Sequence, residues 1–545
     1  MPTDKLMPRA GHQSPPRRVS SVAHEWLYLV LLVATVSPVF AFRFLPFWDL
    51  PHWTFQTYLL QQMRLAPEFF NKYYRLSPVP APNSGFPVLA WLLGLAVPSP
   101  SLVAKLCLAL SIVGFLCGAS FLIRSVQKER SALEFLPFIW AYGWYVHWGL
   151  LCFQLSLGLC LLSMGFLQRT TRGGQVLPPR QQLAMLAFLS VFTYVCHLMG
   201  WVALAIAIAT YGGSICLRQR KGAGLPLLAT LLPTVLLLAW YTIDRSGSVS
   251  VVRWPGLPFR ILRLSAPLHM FFRLDPFDLQ VPGPLVLNFA VLALALALLA
   301  STVDWRRGRG TWWLVNATLF SVGGICMAAA VALPFYFFAQ SQTPGARLVQ
   351  PALWAVVASL RYRSLRRWQS AVILALVALV LAVNVLSFRR AEPLLAEIFH
   401  ATHDAIPADA SVFAVALKNA PLWNACRDTT SSKPAVPDVA FGIATLRWFD
   451  NYRFMADGGY DARIIDTALI KYRDPERRPR SWVTERSRED LEGASLSILA
   501  DARDYDVVEL FGCPQDLRRV ELLLTPEFFT AARGQHYSVL MRAAP

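Results

Sequence analysis

Up to about residue 388 the chain alternates long apolar runs with short basic segments; beyond it, mixed polar and apolar patterns take over. Leu102–Ile123, Leu285–Val303 and Ser370–Ser387 are essentially uncharged apart from Lys105. A helix rises about 1.5 Å per residue, so ~20 apolar residues cross the hydrocarbon core of a bilayer. Eleven crossings are expected, near 26–42, 101–123, 132–147, 150–167, 181–197, 199–216, 225–242, 284–303, 312–332, 348–360 and 369–388. Phe86–Val97 is apolar but short and is followed by Pro98-Ser99-Pro100, which suits a re-entrant or interfacial piece better than a crossing. Leu348–Leu360 is also short, and the arginines after it (Arg361, Arg363, Arg366, Arg367) favour an exit on the basic side. If it does not cross, the tail changes sides.

Composition agrees with an integral membrane protein. The chain is 55% hydrophobic with a mean hydropathy of +0.43 and only 15% charged residues, against about 25% in soluble domains. The net charge of +18 sits in short clusters between the apolar runs, such as Arg124/Lys128/Arg130, Arg169/Arg172/Arg180, Arg218/Arg220/Lys221 and Arg306/Arg307/Arg309. Placed on one face of the membrane, these satisfy the positive-inside rule without a polyanion partner, so nucleic acid is not called for. Glu25 to Phe42 is too long for a signal h-region, and bulky Phe40, Phe42 and Phe44 occupy its exit. It reads as a retained first span after a cytoplasmic tail (1–25), and an odd number of crossings leaves the C-terminus outside.

The fold class is therefore an all-α polytopic membrane body, 26–388, with outer loops 43–85, 243–283 and 333–347, followed by a small extracytoplasmic α/β domain, 389–545. In the first loop Phe55, Tyr58, Leu59 and Met63 make one helical face, suited to lying in the interface. In the tail Ser411–Leu417, Tyr505–Leu510 and His536–Met541 read as strands, 391–404 and 515–524 as helices, and 428–438 and 473–490 as loops. Seven cysteines lie in or beside apolar spans as small buried hydrophobes. Cys426 and Cys513 lie in the tail, where an oxidising compartment would let them pair.

The candidate chemistry begins with Asp49 in Phe44-Leu45-Pro46-Phe47-Trp48-Asp49-Leu50-Pro51-His52-Trp53, just outside the first span. Asp ahead of a proline and a helical segment is a common N-cap; facing the outer surface, it is also a general base for an acceptor hydroxyl. His52 shares its helical face at i+3. Two such ligands do not make a metal site, which leaves a divalent cation open without requiring one. Arg253, Arg260 and Arg263 in the second outer loop and Arg347 at the end of the third are either solvated at headgroup level or grip a lipid phosphate. His147 and His197, at outer span ends, read as satisfied interfacial histidines. The chain has no Walker loop, no Gly-x-Ser-x-Gly and no His-Glu-x-x-His.

This layout of a first span, an acid in the first outer loop, many further spans and an outside tail resembles the GT-C superfamily of polyprenyl-phosphate-sugar-dependent glycosyltransferases. Asp49-Leu50-Pro51-His52 also resembles an Asp-x-Pro-x-His type signature of bacterial membrane proteins, although here His directly follows Pro. Ile406-Pro407-Ala408-Asp409-Ala410-Ser411-Val412 and His536-Tyr537-Ser538-Val539-Leu540 look like parts of such proteins as well. The resemblance implies a multi-pass protein of the bacterial inner membrane that uses membrane lipids. It would perform an inverting transfer of a sugar from a polyprenyl phosphate to an envelope glycan, lipid or protein. Asp49, with His52 beside it, would serve the acceptor, and one or more of Arg253, Arg260, Arg263 and Arg347 would hold the leaving phosphate. The first loop holds no paired acid and no clear second acid stands at the outer end of spans three to four, which leaves a degenerate, non-catalytic relative open. The alternatives are a non-catalytic membrane assembly protein and a lipid or polysaccharide transporter. The last of these would call for ionisable residues at mid-membrane, where these spans have nearly none.

Overall fold

The computed structural model describes residues 21–47, 49–71, 74–76, 81–127, 130–219, 222–244, 264–271, 282–304, 314–334, 336–337, 341–342, 344–363, 365–407, 410, 412–418, 470–472, 482–487, 502–503, 505–511, 514–525, 527–534 and 537–543. The longer helices are α1 (Ser21–Ala41), α2 (Leu50–Leu65), α3 (Gly85–Leu93), α4 (Pro100–Gln127), α5 (Leu151–Thr170), α6 (Arg180–Cys196), α7 (Leu198–Arg218), α8 (Leu232–Asp244), α9 (Pro282–Thr302), α10 (Ala317–Ala332), α11 (Ala346–Ser359), α12 (Arg367–Ala405) and α13 (Pro514–Leu524). Among the described residues, six helical segments are long and apolar enough to cross a membrane: α4, α5, α7, α12, Val22–Ala41 and Leu225–Ile243. The outermost of them turn apolar side chains outward, as lipid-facing helices must: Trp26, Val30 and Val33 on α1 and Leu236 on α8 are exposed.

At the centre α4 lies against α5 through glycines. A Cβ on Gly158 of α5 would stand 2.5 Å from the carbonyl carbon of Gly114, and one on Gly118 would meet Gly158 Oxygen. Gly114 and Gly118 are thus a small-xxx-small pair that lets two backbones touch where lipid offers no hydrophobic drive to association.

The expected span 132–147 takes a different form. Ser131 and Glu134 make a capping box that opens a 3-10 helix, Ala132–Trp140, carrying Pro137; a turn and a one-turn helix, Trp144–His147, follow. At about 2.0 Å per residue a 3-10 helix covers depth faster than an α-helix. Proline has no N–H for an α-helical ladder, and such backbone survives at membrane depth only when protein covers it. Leu133 to Trp140 are all buried.

The last span also differs. The expected span 369–388 and helix 391–404 form one helix, α12, of 39 residues. That is about 58 Å of helix against a hydrocarbon core of about 30 Å, so its second half carries the tail beyond the membrane. The tail sheet is β4 (Val412–Lys418), β6 (Trp482–Ser487), β7 (Val507–Phe511), β8 (Phe528–Arg533) and β9 (Tyr537–Arg542) in the order β6-β4-β7-β9-β8. β4 pairs parallel with β6 and β7; the β7–β9 and β8–β9 pairs are antiparallel. Alternation assigns the faces: Phe413, Val415, Val508, Leu510 and Leu540 pack on α13, while Val412, Val507, Phe511, Tyr537 and Val539 join the core that continues into α12. The expected strands in β4, β7 and β9 and the helix α13 are present. β6 corrects the loop expected over 473–490, and β8 was missed because only Phe528 of its six residues is buried.

The face of Phe55, Tyr58 and Leu59 does not lie on lipid. It is buried with Phe70 and Tyr74 in a small core of its own. From that core β1 (Tyr74–Leu76) pairs antiparallel with β5 (Ile470–Tyr472), Tyr74 opposite Tyr472 and Leu76 opposite Ile470. A ladder cannot form across a bilayer, so the first loop and the tail share one side of the membrane. A two-residue ladder, β2 (Tyr336–Phe337) with β3 (Ser341–Gln342), closes the third loop.

Candidate active site

The loop after α1 is anchored before it reaches Asp49: Lys105 Nζ donates to Phe42 O at 2.5 Å, and Arg43 N donates to Glu392 Oε1 at 2.5 Å. Proline in the first turn then starts α2, with Asp49 at its N-cap position. The position is as the sequence indicates, yet the carboxylate makes no capping hydrogen bond. The backbone around it is held instead by the turn ahead of α5. Trp53 Nε1 donates to Gly149 O at 2.7 Å, and Leu150 N donates to Tyr145 O at 2.8 Å. Gly149 has φ +70, and a Cβ there would come within 2.6 Å of Asp49 N. Left-handed backbone and this close approach together call for glycine.

Arg347 enters from about 300 residues further along the chain. It lies in the first turn of α11 and is 9% exposed. The Tyr145 hydroxyl donates to Ala346 O at 3.0 Å and pins the start of that helix. The Arg347 guanidinium interacts electrostatically with the Asp49 carboxylate, and with Tyr145 and Cys152. It also lies within electrostatic reach of His197, whose Nδ1 accepts from Met199 N at 3.0 Å and so caps α7. The starts of α2, α5, α7 and α11 thus converge here. Helix N-termini carry partial positive charge and favour anions. Together with a guanidinium they make surroundings suited to a phosphate, with a half-buried carboxylate at the edge.

The second outer loop ends in the same region. Residues 264–271 are stitched into the bundle by side chains: Gln350 Nε2 donates to Pro267 O at 2.9 Å, Asn384 Nδ2 to Met270 O at 3.0 Å and Trp140 Nε1 to Leu268 O at 3.3 Å, while Met270 N donates to Asn288 Oδ1 at 3.0 Å. Gln350 is on α11, one turn from Arg347. Arg253, Arg260 and Arg263, in the part of the loop before this segment, lie outside the described residues, as do Cys426 and Cys513; the other seven cysteines are free thiols.

His52 is 1% exposed, and its Nε2 accepts from Gln56 Nε2 at 2.6 Å one turn on. His147 bonds Asn384, and His197 caps a helix through Nδ1. Among the described residues no three His, Cys, Asp or Glu side chains stand close enough to hold a metal ion. Gly149, Tyr145 and Gln350 were not singled out from the sequence. The glycine's place next to aromatic residues ahead of an apolar run was the one available signal.

No family model matches the chain, and no curated protein matches it. Among solved structures the chain is similar to ArnT from Cupriavidus metallidurans bound to undecaprenyl phosphate, at 12% identity over 96% of this chain and 99% of that one, with a TM-score of 0.51. It is also similar to the same protein in the apo state, at 13% identity, the same coverage and a TM-score of 0.44. The first likeness runs through nearly the whole of both chains and shows that this chain shares that protein's fold, a mostly helical body with a small sheet in its C-terminal region.

Proposed function

We propose that this chain is an inner-membrane glycosyltransferase that moves a sugar from a polyprenyl-phosphate donor to a hydroxyl of an envelope acceptor on the side shared by the first loop and the tail. The observation that carries this reading is the Asp49–Arg347 association, an acid and a buried cation about 300 residues apart in sequence brought to the meeting point of four helix starts. The fold likeness to a protein that binds undecaprenyl phosphate supports the donor class. In the reaction the acceptor oxygen attacks C1 of the sugar and gives its proton to Asp49. The bond from C1 to the phosphate oxygen breaks, with inversion, and Arg347 takes the charge of the departing polyprenyl phosphate. A phosphate arriving at Arg347 competes with Asp49 for the guanidinium, which raises the basicity of the carboxylate when the donor is in place. Arg253, Arg260 and Arg263 are further candidates for the phosphate. His52, within the protein, would position α2 through Gln56 rather than touch substrate.

The test is Asp49→Asn at the chromosomal locus, with surface glycolipids and glycoproteins profiled against wild type and a deletion. The carboxylate makes no cap bond and Asn caps as well as Asp, so the helix start is kept; because Arg347 loses a charge partner, transfer is read per unit of folded protein in the membrane. Transfer should fall by about 10²- to 10⁴-fold, the usual worth of a general base. A wild-type profile from Asp49→Asn where the deletion is defective would sink the catalytic assignment and favour the assembly-protein reading.

A further inference from the structure

At the other end of α5 the bundle opens into a cavity of about 800 Å³, lined by Arg124, Arg130, Arg169, Arg172 and Arg218 with Asn316 among them, and, among the described residues, by no carboxylate. α5 begins beside Asp49 and reaches this cavity after 20 residues, about 30 Å of helix, so the two sites lie a membrane thickness apart. Two of the arginines already have acids: Arg124 Nε donates to Glu134 Oε2 at 3.0 Å, and Arg130 pairs with Glu25. Among the described residues no carboxylate pairs with Arg169, Arg172 or Arg218. Arg169 is held over the ring of Phe121 at 4.5 Å. Like charges gathered around one space without an acid raise its potential and draw in an anion.

Arg172 carries the argument furthest. The end of α5 is a Schellman turn: Gly173 N donates to Gln168 O at 3.0 Å and Arg172 N to Arg169 O at 3.3 Å. In that turn Arg172 occupies the left-handed position, with φ 49, where glycine is favoured. The chain has glycines at the next two positions and an arginine at this one. A bulky side chain in that conformation is strained and does nothing for the turn, the pattern of a residue kept for what its side chain reaches.

We propose that this cavity binds a phosphate headgroup. Three guanidiniums from the ends of two helices offer the fork geometry that phosphate oxygens take, and basic pockets between transmembrane helices are a recurrent site for anionic lipid. Leu217, next to Arg218, is 90% exposed, and it gives acyl chains an apolar wall beside the charge. An anionic lipid and a free phosphate share this chemistry, and the experiment separates them.

The full-length protein in neutral detergent is unfolded by heat with phosphatidylglycerol, phosphatidylcholine or inorganic pyrophosphate added, for wild type, Arg172→Gly and Arg169→Gln/Arg218→Gln. Phosphatidylglycerol should raise the midpoint saturably and phosphatidylcholine should not. Arg172→Gly relieves the turn and should fold at least as well as wild type, yet need at least about tenfold more phosphatidylglycerol for the same shift, the worth of a charged hydrogen bond. A response to pyrophosphate in place of the lipid, lost in the same variants, upholds the site with a soluble phosphate as its ligand. Equal responses to both lipids, no response to any probe, or responses undiminished in both variants overturn the proposal.

Discussion

At the Asp49 end of the bundle Arg347 is 9% exposed and shares its surroundings with a carboxylate; at the other end Arg169, Arg172 and Arg218 line an open cavity with no carboxylate among its described residues. The difference lies in solvation. A cation inside protein depends on its partner for the interactions water would supply, so fold and charge are coupled there. Around an open cavity water supplies those interactions, and the charge is available to a ligand at little structural cost.

That contrast can be broken most sharply at Arg347. Arg347→Gln should abolish detectable transfer and destabilise by about 1–3 kcal/mol, the range for taking one group out of a buried polar contact. Adding Asp49→Asn should recover part of the loss, and a double-mutant cycle on thermal midpoints reads the coupling. Strictly additive losses would mean that the two charges are independent. By comparison, Arg169→Gln should change stability by no more than about 1 kcal/mol.

Gly149→Ala is the next largest effect. The new Cβ would meet the Asp49 backbone in a left-handed residue, a strain of about 1–3 kcal/mol. Transfer should fall more than stability does, because the displaced atom belongs to Asp49. A variant that is destabilised yet fully active would separate the turn from the chemistry.

The smallest effect is on the tail. Burial, then the Glu397 carboxylate beside it, hold the Tyr537 hydroxyl above the ordinary tyrosine value. The unfolded chain therefore ionises this group first, near pH ~10. Stability from this source is intact below that pH and is lost as pH rises above it. Tyr537→Phe should flatten the alkaline fall of the tail's unfolding midpoint, and an unchanged slope would assign the fall to other groups.

Much of the body was legible because hydropathy and helix length are local properties. α4, α5 and α7 lie where their apolar runs predict. The strands β4, β7 and β9 were legible for the same reason, since their alternation is written in consecutive residues. β6 was not, because Glu485 and Arg486 interrupt its pattern and pairing with β4 decides it. Asp49 could be found as a lone acid at a span end. That its carboxylate would leave the cap unbonded could not, since the packing of Trp53 on Gly149 sets its backbone.

The sequence alone determined a membrane body, its tail and the residues able to carry chemistry, because the cost of placing polar groups in hydrocarbon is charged residue by residue. Only the tertiary structure decided which of them meet. Asp49 and Arg347, β1 and β5, and Gly118 and Gly158 are separated along the chain and joined by close packing of whole helices. Such packing selects partners by shape and depth, and neither is a property of a short stretch of sequence.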